Sequence, residues 1–133
     1  GGGMRDTVDE MRKTQAIVEL WLCYAQLEIK KRQFKAAVKV FESAVACPIA
    51  SRYCNTWLAY ARFHAERGKS SKAERVYIRA VEAVTERKVD QAQIFDAYLS
   101  FLHSNGHEKL SLQELKGRII PQPEEDDSFA ATS

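Results

Sequence analysis

One segment of this chain is written twice. Trp21-Leu22-Cys23-Tyr24-Ala25 returns as Trp57-Leu58-Ala59-Tyr60-Ala61, 36 residues later. The same offset carries Ala37 to Ala73, Val40 to Val76, Phe41 to Tyr77, Ala44 to Ala80 and Val45 to Val81. A weaker third copy begins at Phe95 with an offset of 38, which aligns Phe95 with Trp57, Tyr98 with Tyr60, Phe101 with Phe63 and Gly106 with Gly68. A repeat of this length limits the fold more than any composition figure does. Each copy is one supersecondary unit that cannot bury its apolar face alone, so neighbouring copies have to stack.

Each copy reads as two helices. Trp21, Tyr24, Ala25 and Glu28 stand at i, i+3, i+4 and i+7, which is one helical face. Phe34, Ala37, Val38, Phe41, Ala44 and Val45 repeat the pattern on a second helix. Ser71-x-x-Glu74 and Ser111-x-x-Glu114 are capping-box patterns, and Asp90-x-x-Gln93 resembles one. Gly68 and Gly106 follow periodic segments, where a helix ends in the left-handed conformation, and Pro48 closes another. The spacing predicts helices at about 15–31, 33–46, 51–67, 71–86, 90–105 and 111–117, with a short helix near 6–13 capped at Thr7-x-x-Glu10. Short loops make consecutive helices antiparallel. The expected fold is all-α, an α-solenoid of stacked helical hairpins in a right-handed superhelix. One repeat domain is expected over 5–120, with repeats at about 15–46, 51–86 and 90–117, after residues 1–4, where Gly1–Gly3 read as a cloning scar ahead of a start at Met4. The segment 121–133, with Glu124-Glu125-Asp126-Asp127-Ser128-Phe129, has too little apolar surface to order and is expected to be disordered.

Composition enters mainly through what it excludes. No apolar run approaches the length of a membrane span, and no secretory leader follows Met4. All 20 basic residues precede residue 119 and four of the 18 acids fall in the tail, which leaves residues 1–123 at +6. That balance tolerates an acidic partner without the strong excess of a dedicated nucleic-acid domain. Cys23, Cys47 and Cys54 form no C-x-x-C pair, and no histidine stands at zinc-ligand spacing. Cys23 and Cys47 fall among apolar positions and read as buried free thiols, which suits a reducing compartment. His64, His103 and His107 are the only histidines, and Gly106 interrupts the one i, i+4 pair. No nucleophile elbow, phosphate loop, dinucleotide turn or convergent acid pair is present, so neither catalysis nor a cofactor, metal or small-molecule substrate is expected.

The pattern Trp-x-x-Tyr-Ala-x-x-Glu, followed about twenty residues on by an aromatic-Glu-x-Ala block, resembles the half-a-tetratricopeptide (HAT) repeat. Copy one supplies Trp21, Tyr24, Ala25, Glu28, Ala37, Phe41, Glu42, Ala44 and Val45; copy two supplies Trp57, Tyr60, Ala61, Gly68, Ala73, Tyr77, Arg79, Ala80 and Val81. The match covers about residues 15–117 and departs at three places: His64 stands for Glu28, Arg32 for Gly68, and Phe95 for the leading Trp. The resemblance implies a scaffold of RNA-processing assemblies that binds proteins, in pre-mRNA splicing, 3′-end processing or ribosomal RNA maturation, and a nuclear location. The alternatives are a tetratricopeptide-like adaptor outside RNA metabolism, in the cytoplasm, and direct RNA binding.

Two residue sets stand out. Trp21, Tyr24, Ala37, Phe41, Trp57, Tyr60, Ala73, Tyr77, Phe95 and Tyr98 are read as packing between repeat helices, in preference to a base-stacking platform. Lys30, Lys31, Arg32 and Lys35, with Arg67, Lys69, Lys72 and Arg75 at the equivalent turn, are expected on one edge. They are either solvated faces with helical salt bridges, such as Arg75 or Arg79 to Glu74 or Glu82, or a ridge for an acidic protein segment or RNA phosphate. Two clear repeats leave the end faces of a solenoid open. Either copy three caps the stack, or the molecule pairs with itself or belongs to a longer array. The acidic tail reads as a solubilising end or as a linear motif anchored by Phe129.

Overall fold

A computed structural model describes residues 3–119, with side chains from Thr7 onward. The tail residues Glu124–Asp127 and Phe129 lie outside the described residues, as do Gly1 and Gly2. The described chain is all-helical: α1 (Gly3–Lys30), α2 (Phe34–Ala46), a 3-10 turn (Ala50–Arg52), α3 (Cys54–Glu66), α4 (Ser70–Ala83), α5 (Lys88–Ser104) and α6 (Leu112–Ile119). Two units divide inside α5, between Ile94 and Phe95.

In the first unit, α1 with α2 and α3 with α4 form hairpins joined by turns of three residues. The two turns share two hydrogen bonds. Arg32 N–H donates to Ile29 O and Gln33 N–H to Glu28 O; Gly68 N–H donates to Ala65 O and Lys69 N–H to His64 O. The residue at the corner is left-handed in both, at φ 57° for Arg32 and 74° for Gly68. Arg32 therefore holds the conformation that Gly68 adopts at no steric cost. In the second unit the turn after α5 keeps one of these bonds, His107 N–H to Leu102 O, around a left-handed corner at Gly106 with φ 100°. Three left-handed corners are the backbone form of the three sequence copies.

The first hairpin departs from expectation at its start. The segment near 6–13 and the helix from 15 are one helix, α1, and Thr7 is inside it, as are Gly3 and Met4. No proline or glycine stands between Met4 and Lys30 to break it. Thr14 donates its hydroxyl to the Met11 carbonyl inside the helix, where a break was expected.

Of the four capping patterns in the sequence, one forms as expected. Ser111 and Glu114 make the reciprocal box: Glu114 N–H donates to Ser111 Oγ at 3.0 Å, and Ser111 N–H to Glu114 Oε1 at 2.9 Å. That bond to the Ser111 N–H holds the Glu114 carboxyl below its ordinary range. Ser71 instead sits inside α4, whose N-cap is Lys69 with no side-chain cap bond. The chain re-enters the helix two residues after the left-handed corner in both hairpins, so the turn sets the start. Asp90 is the third residue of α5 and caps a different helix. Its carboxylate accepts the N–H of Cys54, first residue of α3, at 2.8 Å, and holds Arg87 Nε at 3.2 Å.

The core of the first unit runs along the hairpins through Val18, Ala25, Val40, Phe41, Trp57, Tyr60, Val76 and Val81. Ala37, Ala61, Ala73 and Ala80 are fully buried, where small side chains let the helix axes approach. Tyr77 is buried too. In the second unit Phe95, Tyr98 and Leu115 are buried, and Lys116 Nζ stands 5.6 Å from the Phe95 ring centroid. The tandem tyrosines do not share a fate: Tyr60 is 3% exposed but Tyr24 is 50% exposed, and Trp21 is half-buried. The expectation that Tyr24 packs in the core is corrected, because among the described residues no helix lies on that side of α1. The thiols are corrected likewise. Cys23 is exposed, Cys47 is half-buried and Cys54 is the buried one, where burial pushes its thiol up to about 11.

Candidate functional site

Two adjoining hollows, of about 210 and 190 Å³, share Val38, His64 and Lys72 and form one groove between α2 and α4 with α3 as its floor. Phe34 and Lys35 reach it from the start of α2. Arg67 and Lys69 come from the α3–α4 turn, and Lys72, Arg75 and Arg79 from α4. The repeat explains the convergence. The basic start of one second helix and the basic turn of the next hairpin fall on the same side because the two hairpins are copies.

The aromatic floor is closed. Phe41 stacks on Tyr60 with centroids 4.9 Å apart and planes 9° from parallel, and Phe63 contacts Phe34, Phe41 and His64. The Arg67 guanidinium lies 3.9 Å from the Phe34 centroid and that of Arg32 5.2 Å from it. Both cations thus cover an aromatic face that a nucleic-acid base would need open.

At one end Glu42 accepts two bonds from the Arg79 guanidinium, at 2.8 and 3.1 Å, and one from the Tyr60 hydroxyl. The Arg79 bonds hold the Glu42 carboxyl below its ordinary range in spite of its partial burial. The helical pairing of Arg79 with Glu74 or Glu82 is replaced by this bond across two hairpins. Lys35, Lys69, Lys72 and Arg75 have no carboxylate partner among the described residues. Lys31 is turned back onto Glu28 at 3.5 Å, and neither it nor Lys30 lines the groove. The predicted ridge therefore contributes Lys35, Arg67, Lys69, Lys72 and Arg75 to the groove, with Arg32 beside it. Sequence reasoning missed His64 as its floor. The substitution of His for Glu28 at the repeat position was the available signal.

His64 is 5% exposed. Burial first, then the cations Lys72, Arg67 and Arg75, push its pKa below the ordinary 6.5, with Glu42 opposing them. The folded state thus binds fewer protons than the unfolded chain at mildly acidic pH. Stability is fully present above pH 6.5 and falls as the pH drops from there toward the depressed folded value. Thermal unfolding followed by circular dichroism from pH 8 to 5 is expected to show a flat midpoint that then declines, and His64→Gln flattens that decline. Glu42 contributes a separate loss at lower pH, below its ordinary 4.5.

The arrangement is a basic groove over His64 and an aromatic floor. Among the described residues no group of three or more His, Cys, Asp or Glu is placed to hold a metal ion. No described helix is long and apolar enough to cross a membrane. The family model for the PRP39 N-terminal HAT repeat matches residues 11–127. The chain belongs to the HAT repeat family. As a HAT chain it is a helical-repeat scaffold of a family that works in RNA processing and mediates protein–protein interactions. HAT scaffolds are typically non-enzymatic. Among curated proteins and among solved structures, none matches this HAT chain.

Proposed function

We propose that the chain is a non-catalytic component of a nuclear RNA-processing particle, and that the groove over His64 seats an acidic segment of a protein partner. One observation carries this reading: Lys35, Arg67, Lys69, Lys72 and Arg75, from two hairpins, converge on a groove whose one lining carboxylate, Glu42, is committed to Arg79. A partner carboxylate entering there meets cations that need no rearrangement, and complementary charge sets both its encounter rate and its register. The link of the family to splicing supports pre-mRNA processing as the pathway. RNA is the weaker occupant, because the Phe34 and Phe63 rings are covered by arginine and buried neighbours.

The test is the charge reversal Lys69→Glu/Lys72→Glu/Arg75→Glu at three exposed positions. Its stability is expected to stay within about 1 kcal/mol of the parent, since surface changes act weakly. Tagged parent and variant are compared in nuclear extract, with and without RNase, by quantitative peptide identification. RNA-processing proteins are expected on the parent and at least about tenfold depleted on the variant. Equal capture by both sinks the groove. Capture that RNase abolishes assigns the surface to RNA, whose affinity falls steeply with salt.

A further inference from the structure

The outer face of α1 is apolar and open. Leu20 is 71% exposed, Tyr24 50% and Leu27 56%, at i, i+4 and i+7. The equivalent face of the second hairpin is closed. Thirty-six residues on stand Thr56, Tyr60 and Phe63, all buried, with Tyr60 and Phe63 packed on Phe41 of α2. The second helix of the preceding hairpin covers the first helix of the next, and among the described residues nothing covers α1 in that way.

The stretch one period upstream of α2 does not supply it. Thirty-six residues before Phe41 and Glu42 stand Arg5 and Asp6, and before Ala44 and Val45 stand Val8 and Asp9. These positions belong to α1 itself, which runs unbroken from Gly3 to Lys30. The stretch that the repeat period would fold back as a covering helix continues straight along the α1 axis instead.

We propose that this face docks an amphipathic helix from a second polypeptide, lying on α1 as α2 lies on α3. The repeat also specifies its chemistry. It carries an aromatic ring at the place of Phe41, to stack on Tyr24. It carries a basic or neutral side chain at the place of Glu42. On the second hairpin Glu42 of α2 meets Tyr60, His64 and Arg79, and the Arg79 guanidinium leads in holding its carboxylate below the ordinary range. The equivalent positions are Tyr24, Glu28, which holds Lys31 at 3.5 Å, and Ser43 of α2, so an incoming carboxylate meets an acid at the place of His64 and no guanidinium at the place of Arg79. This helix-on-face mode uses apolar i, i+4, i+7 anchors for affinity and the single charge for selection. The face is separate from the groove over His64, and neither proposal depends on the other.

The probes are two peptides with the α2 sequence, residues 33–47 with Cys47→Ser, one keeping Glu42 and one with Glu42→Lys. Each is titrated into the isotope-labelled full chain, and amide shifts are followed by NMR. The Lys peptide is expected to shift the amides of Leu20, Tyr24 and Leu27 and to bind at least about tenfold more tightly than the Glu peptide. A Leu20→Ser/Leu27→Ser chain, altered only at exposed sites, is expected to lose those shifts with its helicity intact. No shift on α1 up to millimolar peptide overturns the proposal, and equal or tighter binding of the Glu peptide overturns its charge rule. Sedimentation of the unliganded chain supplies the other outcome: a dimer that Leu20→Ser/Leu27→Ser abolishes assigns the face to a second copy and also overturns it.

Discussion

Trp57→Ala is expected to destabilise the fold by about 3–5 kcal/mol. The side chain is 4% exposed and stands inside the second hairpin. Its indole Nε1–H donates to the Ser51 carbonyl at 2.8 Å, which ties α3 to the 3-10 turn before it. The Arg79 guanidinium lies 5.5 Å from the ring centroid. Truncation removes the ring and leaves a cavity that α3 and α4 cannot both close on. It also strips Ser51 of its partner. Total stability of a domain this size is about 5–15 kcal/mol, so the variant should approach the edge of folding. Urea unfolding with Trp21 fluorescence as the reporter measures the loss. Trp21→Ala, at the half-buried equivalent position, is expected to cost clearly less. Equal costs at the two sites would contradict the burial difference on which the account of the two hairpins depends.

Asp90→Ala is expected to cost about 2–3 kcal/mol. The carboxylate is buried and spans 36 residues of sequence to reach the Cys54 N–H at 2.8 Å. Loss of the side chain leaves that amide without its acceptor at a buried helix start, where desolvation is not repaid. Arg87 also loses its 3.2 Å partner, at a smaller penalty because it is partly solvated. Asp90→Asn keeps an acceptor oxygen for the amide and is expected to recover roughly half of the loss. Hydrogen exchange supplies the local readout: the Cys54 amide should lose protection in the alanine variant and keep much of it in the asparagine variant. A fall in stability without change at Cys54 would mean that the cap is not the source.

Both predictions concern residues whose roles differ in how far the sequence reveals them. Trp57 announced itself through the 36-residue repeat, since a large aromatic at a recurring helical position has few places to go other than between helices. The pattern at Asp90 points to the start of its own helix, because a capping pattern is a statement about four adjacent residues. Its partner amide comes from another helix, and no local pattern encodes that.

The same division runs through the rest of the chain. The period, the helical spacing and the left-handed corners at Gly68 and Gly106 were legible in the residues alone. They depend on backbone preferences within a single turn, and even Arg32 was flagged by standing in a glycine's place. Burial was not legible in this way. Trp-x-x-Tyr-Ala occurs twice, yet Tyr60 stacks on Phe41 and Tyr24 faces outward. A side chain is buried only if another element arrives to cover it, and that arrival is decided by chain path. α1 runs unbroken through residues 3–30 and among the described residues leaves Tyr24 uncovered, whereas α2 brings Phe41 onto Tyr60. The groove followed the same rule, because His64 became its floor only when α2 and α4 closed on either side of α3.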